Sequence, residues 1–259
     1  METVVDLAGV PTWYAEHGAG KPLVYLHGGF SDAGELEPVL PRYAEDFQVL
    51  TPDRRGHGRT ADVDGPFGYQ VLADDIVAFL EAVVGGPADL VGYSDGATTA
   101  LLVALSRPDL VNRMVLISGQ FHHSGLLPDM FGDDPATAAA ALAGSRLADR
   151  YGEVSPDGRD HFVVVAEKVL RMAMTEPTLG PEHLRDVGAR TLVVSGDDDV
   201  VALEHTIALY RGIPDAEPAV VPGTSHVLIM EKPDRVADLV LDFLLREPVA
   251  TIAPIRRRD

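Results

Sequence analysis

The sequence has no cysteine. Disulfides, thiolate nucleophiles and cysteine metal sites are therefore excluded, and the composition suits a reducing compartment. Basic residues are scarce. Lys plus Arg number 21 against 40 Asp plus Glu, a formal net charge of −19, and only Lys21, Lys168 and Lys232 are lysines. So acidic a chain repels phosphate, which argues against a nucleic-acid partner. Its one basic cluster, Arg256, Arg257 and Arg258, reads as a solvated tail. Long apolar runs are also missing. No segment approaches the roughly 18–20 apolar residues that span a bilayer. The start, METVVDLAGV, carries Glu2 and Asp6 and no basic stretch, unlike a secretory signal. The expectation is a cytoplasmic protein without a membrane partner. What is present is a 46% hydrophobic composition over 259 residues, enough for a sizeable core and against disorder.

Short apolar runs alternate with amphipathic ones. Residues 3–7 and 10–16 read as an antiparallel pair. PLVYLH (22–27), FQVLTP (47–52), ADLVGY (88–93), MVLIS (114–118) and TLVVS (191–195) read as buried strands, with 219–221 as a last one. Residues 35–46, 68–84, 97–107 and 233–246 read as helices. Strands separated by helices imply parallel crossovers and a sheet covered on both faces. The alternation breaks once, between 120 and 189, where 136–151 and 157–175 read as helices. The pattern predicts a core of residues 1–119 and 190–259 interrupted by a helical cap, residues 120–189.

Chemistry concentrates in a few segments. Gly92-Tyr93-Ser94-Asp95-Gly96 lies between a strand and a helix. At so tight a turn the flanking glycines make room, and the serine hydroxyl projects above the sheet edge. The N–H of Asp95 opens the helix, where it can face developing negative charge. A serine nucleophile needs a base, and the base an orienting acid. Late in the chain come Gly196-Asp197-Asp198-Asp199 and then Gly223-Thr224-Ser225-His226. Of the nine histidines, His226 has the best context. His17, His161, His183 and His205 read as solvated, and His122 and His123 as exposed loop residues.

Taken together, these segments resemble the α/β-hydrolase family over nearly the whole chain. Leu26-His27-Gly28-Gly29 is similar to the family's oxyanion segment, and Pro52-Asp53-Arg54-Arg55-Gly56-His57-Gly58-Arg59-Thr60 to its D-x-R-G-x-G-x-S loop. Glu231-Lys232-Pro233 after His226 is similar to its E-x-P ending. The resemblance implies a mostly parallel eight-stranded sheet flanked by helices, with a helical cap. It implies Ser94 as nucleophile, His226 as base and Asp199 as acid, with Asp197 the runner-up. The oxyanion donors would be the N–H groups of Asp95 and Gly29, with Phe30 the alternative to Gly29. His27 would hold the loop, and Arg54, Arg55 and His57 would brace it. No metal or organic cofactor is implied. A serine at this turn disfavours the branches that use an aspartate there.

The implied activity is hydrolysis of a carboxylic ester of a small molecule through an acyl-enzyme. The sequence leaves monomer and homodimer open. Lactone, thioester or carbon–carbon bond hydrolysis and perhydrolysis remain open, as does a hydrolase-fold receptor with little turnover. The G-x-S-D-G form is similar to that of valacyclovir hydrolase-like esterases, by which Asp95 would meet a substrate ammonium group. Expected pocket residues are Phe30, Asp95, Phe121, Leu126, Leu127, Met130, Phe131, Met172 and Val227.

Overall fold

The computed structural model describes residues 1–128, 130–132, 134–249 and 251–253. The basic cluster at 256–258 lies outside the described residues. In chain order the strands are β1 (Glu2–Leu7), β2 (Val10–His17), β3 (Lys21–Leu26), β4 (Phe47–Pro52), β5 (Ala88–Tyr93), β6 (Val111–Ile117), β7 (Arg190–Asp198) and β8 (Ala216–Ser225). The helices are α1 (Leu40–Ala44), α2 (Tyr69–Phe79), α3 (Asp95–Ser106), α4 (Pro135–Ala141), α5 (Arg146–Val154), α6 (Phe162–Thr175), α7 (Leu203–Gly212), α8 (Leu228–Glu231) and α9 (Pro233–Leu245).

One eight-stranded sheet has the order β1-β2-β4-β3-β5-β6-β7-β8. The β1–β2 and β2–β4 pairs are antiparallel and every later pair is parallel. Alternation along the strands divides the core. Val24, Leu26, Leu90, Met114 and Val193 face α2 and α3. Leu23, Tyr25, Val91, Val115 and Val194 pack with Val236, Val240 and Phe243 of α9 on the other side. All six residues of β5 are buried, as a central parallel strand requires. The strand order reverses around β3, which lies between β4 and β5. In open α/β sheets such a reversal opens a crevice at the carboxyl ends of the strands. Here the crevice receives the loop after β3 and the turn after β5.

Some elements differ from the sequence reading. Residues 35–46 are not one helix but a 3₁₀ turn, Ala33–Leu36, followed by α1. Pro38 and Pro41 lack the N–H groups that a continuous helix would use. The predicted helix 136–151 is α4 and α5, broken at Leu142–Ser145, where Ser145 accepts the Ala148 N–H to cap α5. Helix α2 ends in a π-helical turn, Leu80–Val84, closed by Gly85 in the left-handed region. Helix α7 and most of β8 were not anticipated.

Between β6 and β7 the chain runs through α4, α5 and α6. Two ion pairs fasten this segment to core loops. Arg150 of α5 makes a two-pronged contact with buried Asp32, Nε–Oδ2 at 2.8 Å and Nη2–Oδ1 at 2.7 Å. Lys168 of α6 binds Asp62 at 2.7 and 2.9 Å. Among the described residues no helix is long and apolar enough to cross a membrane.

Candidate active site

Strand β5 passes into α3 through Ser94, whose backbone has φ +53° and ψ −118°. A side-chain-bearing residue held there costs of order 1–3 kcal/mol. The flanking glycines are obligatory. A Cβ on Gly92 would lie 2.3 Å from the Gly96 carbonyl oxygen, and one on Gly96 would lie 2.0 Å from that of Leu26. Because α3 begins at Asp95, its first N–H groups have no acceptor within the helix.

Ser94 Oγ lies 2.9 Å from His226 Nε2, and His226 Nδ1 lies 2.7 Å from Asp199 Oδ1. Both contacts are within hydrogen-bond reach although the partners are far apart in sequence. The tautomer that donates Nδ1–H to Asp199 leaves Nε2 free to accept the serine proton. Burial pushes the Asp199 carboxyl up, but the hydrogen bond and charge of His226, with the hydroxyl of Ser118, hold it below its usual value. Ser118 was not singled out from sequence. It ends MVLIS with φ +54° and donates to Asp199 Oδ2 at 2.5 Å. Asp197 is exposed and instead accepts the Thr224 N–H at 2.9 Å. Glu231 accepts both the N–H and the hydroxyl of Ser225, fixing the loop before His226. The Tyr93 hydroxyl donates to the His226 carbonyl at 3.1 Å.

The loop after β3 is braced from beneath. Arg54 Nη2 donates to the carbonyls of His27 and Gly28 at 2.6 and 3.0 Å. His27 Nδ1 donates to the Gly28 carbonyl and Nε2 accepts the Arg54 N–H. Burial and the Arg54 charge push the His27 pKa well down, so the ring stays neutral. His57 is likewise held at about 3, by burial first and Arg54 second. Its Nδ1 donates to the Arg55 carbonyl. Arg55 reaches the other way, pairing with Asp75 of α2 at 2.6 and 2.7 Å. Phe30 has φ +63°, unusual for an aromatic residue.

Above Ser94 lies a cavity of about 640 Å³. Its walls come from the β3 loop, the Ser94 turn, α4, α6 and the His226 loop, including Ala138, Val169, Leu170 and Ala173. Of the expected pocket residues, Phe30, Asp95, Leu126, Met130, Phe131 and Val227 line it; Phe121, Leu127 and Met172 do not. Met172 is buried within the core of α6, and Phe121 is stacked on His205 with ring centroids 4.1 Å apart. Leu127 is exposed. His205 is therefore not a solvated residue. It accepts the Phe121 N–H, and burial, then the His122 charge, lower its pKa to about 4. His161 also has a partner, Asp62, at 2.9 Å.

The Asp95 side chain does not turn away to solvent or form an arginine ion pair. It is buried, accepts the Tyr69 hydroxyl at 2.5 Å and forms part of the cavity wall. A Cβ on Gly29 would meet Asp95 Oδ2 at 2.5 Å, so only glycine lets the carboxyl sit against that loop. Burial raises the Asp95 pKa, opposed by Arg54 and Tyr69. The wall contains the carboxyl groups of Glu35 and Asp95 and no Arg or Lys among the described residues. Among the described residues no group of three or more His, Asp or Glu is placed to hold a metal ion.

A model of the alpha/beta hydrolase family matches residues 23–239, and the chain belongs to that family. It is 28% identical over 98% of its length to the 2-hydroxy-6-oxo-6-(2'-aminophenyl)hexa-2,4-dienoic acid hydrolase of Metapseudomonas resinovorans, covering 94% of that protein. It is 26% identical over 93% of its length to the 2-(acetamidomethylene)succinate hydrolase of Mesorhizobium japonicum, again covering 94%. A solved serine hydrolase involved in carbazole degradation superposes with a TM-score of 0.78 at 27% identity, covering 95% of this chain and 99% of that one.

Proposed function

We propose that the protein is a serine hydrolase that cleaves a carboxylic ester of a small, largely apolar, neutral or cationic acyl compound through an acyl-enzyme. The observation that carries this reading is the Ser94–His226–Asp199 relay opening into an apolar cavity. His226 takes the Ser94 proton as Oγ attacks the carbonyl carbon. The N–H groups of Asp95 and Gly29 stabilise the tetrahedral oxyanion, each such donor being worth about 3–4 kcal/mol. His226 then protonates the leaving alcohol, activates water, and returns the proton to Ser94 as the acyl group departs. Asp199 keeps the imidazole in the competent tautomer and offsets its transient charge.

The wall's chemistry supports the substrate class. The two relatives named above are described by acid or succinate substrates. A carboxylate substrate here would face Glu35 and Asp95 with no cation among the described wall residues, a costly arrangement. An ammonium group beside Asp95, by contrast, would meet a carboxyl group able to pair with it. Turnover of p-nitrophenyl hexanoate, an aminoacyl p-nitrophenyl ester and a hemisuccinate ester tests this. The first two should turn over and the hemisuccinate should be at least tenfold slower in kcat/KM. Ser94→Ala should lose at least a thousandfold and all labelling by a fluorophosphonate. Faster hemisuccinate cleavage would overturn the substrate class, and unlabelled wild-type enzyme would overturn the mechanism. Asp95→Asn should reduce the aminoacyl ester more than the hexanoate; equal losses would remove the ammonium contact.

A further inference from the structure

We propose that Glu35 is a positioning residue for the oxyanion loop, acting in its carboxylate form as one jaw of a clamp whose other jaw is Arg54. This rests on the hydrolase reading above. Both carboxylate oxygens of Glu35 lie 3.2 Å from the Gly28 nitrogen, and Oε1 also accepts the Tyr25 hydroxyl at 2.7 Å. Arg54 holds the other side of the same peptide through the His27 carbonyl, and the next peptide through the Gly28 carbonyl. A trans peptide is planar, so fixing the Gly28 carbonyl also fixes the direction of the Gly29 N–H. Gly28 is wedged as well. A Cβ there would meet the Tyr93 ring at 2.9 Å and Glu35 Oε2 at 3.3 Å. The loop that offers an oxyanion donor is therefore set from outside the Ser-His-Asp relay.

The groups facing Glu35 favour its ionised form. Tyr25 from β3, the Ser31 hydroxyl and the Gly28 N–H all donate to it, and Arg54 adds positive charge. Tyr93 from β5 faces it too, but burial raises both tyrosines so that they stay neutral. Burial nevertheless lifts Glu35 to about 7. The clamp is thus engaged above neutrality and weakens as the pH falls through 7, when the protonated carboxyl gives up part of its capacity to accept.

Two readouts test the clamp. In ¹⁵N-labelled wild-type protein the Gly28 amide should titrate with a midpoint near 7, and Glu35→Gln should abolish that titration. This measurement needs no turnover, so it stands even if the hydrolase reading fails. In the pH profile of fluorophosphonate labelling, the wild-type acid limb should carry the Glu35 ionisation near 7, and Glu35→Gln should remove it. Hexanoate kcat at pH 8 should fall roughly tenfold in Glu35→Gln, with KM within twofold. Tyr25→Phe removes one donor and should move the Glu35 ionisation upward in both readouts, which covers the case in which Glu35→Gln fails to fold. A Gly28 amide that does not titrate near 7 in wild type, or an acid limb unchanged by both variants, would overturn the proposal.

Discussion

Ser118 shows how a site can depend on a residue with no reactive role. Its hydroxyl occupies one oxygen of Asp199 while His226 occupies the other, so the carboxylate cannot rotate away from the ring. Removing a hydrogen bond to a charged group costs about 1.5–3 kcal/mol. In Ser118→Ala, kcat for a neutral ester should fall about ten- to a hundredfold, with KM nearly unchanged and Ser94 still labelled slowly. Steady-state kinetics check this; an unchanged kcat would mean that Asp199 is held by its other contacts, the N–H groups of Val201 and Gly196. At Asp95 the constraint is mutual, because the carboxyl fits only against a glycine at position 29. Position 29 should tolerate no side chain, and Gly29→Ala should lower activity by displacing the Asp95 side chain.

Helices α4 and α6 supply much of the cavity's apolar wall, so chain-length selectivity belongs to this scale. Ala173 of α6 faces the cavity beside Leu170. In Ala173→Phe, kcat/KM for p-nitrophenyl octanoate should drop at least tenfold while that for the acetate stays within threefold. Equal effects on both esters would show that the change disturbs the Ser94 end. The attachment of this segment can be weakened separately. Lys168→Met removes the main cation from the mostly buried Asp62, leaving the His161 ring as a hydrogen-bond partner at 2.9 Å. The expected loss is about 2 kcal/mol, with faster amide exchange in α6 than in α3.

Across the whole molecule, histidines wholly or partly withdrawn from water couple the fold to pH. His205 ties α7 to the start of the inserted segment through the Phe121 N–H and ring. Its pKa falls from an ordinary 6.5 to about 4 on folding. Below pH 6.5 the unfolded chain therefore takes up a proton that the folded chain refuses, and stability declines until about pH 4. The histidines at 27 and 57 act in the same direction, whereas Glu35 and Asp53, raised to about 7 and 6, act in the opposite one. The difference between variant and wild type isolates the His205 contribution. His205→Gln keeps an acceptor for Phe121 but cannot ionise. Urea unfolding should show the variant gaining about 2 kcal/mol on wild type between pH 6.5 and 4.5. Parallel pH curves would mean that His205 is equally protonated in both states.

Local pattern alone determined the alternating strands, the Ser94 turn and the order serine, aspartate, histidine, because buried parallel strands are continuous apolar runs and a tight strand-to-helix turn demands glycines. The family resemblance, not the pattern, implied that His27, Arg54, Arg55 and His57 hold and brace the loop after β3. Three adjacent aspartates look alike in sequence. Only the tertiary structure separated them, placing Asp199 under the His226 ring and Asp197 against the Thr224 N–H. Ser118, Tyr69 and Glu35 carried no local signal, since each matters through a partner distant in sequence or hidden behind a turn. The walls of the cavity were decided there too. An apolar residue in a helix has the same pattern whether it faces a cavity or a neighbouring helix, and packing alone sent Met172 inward and Ala173 toward the cavity.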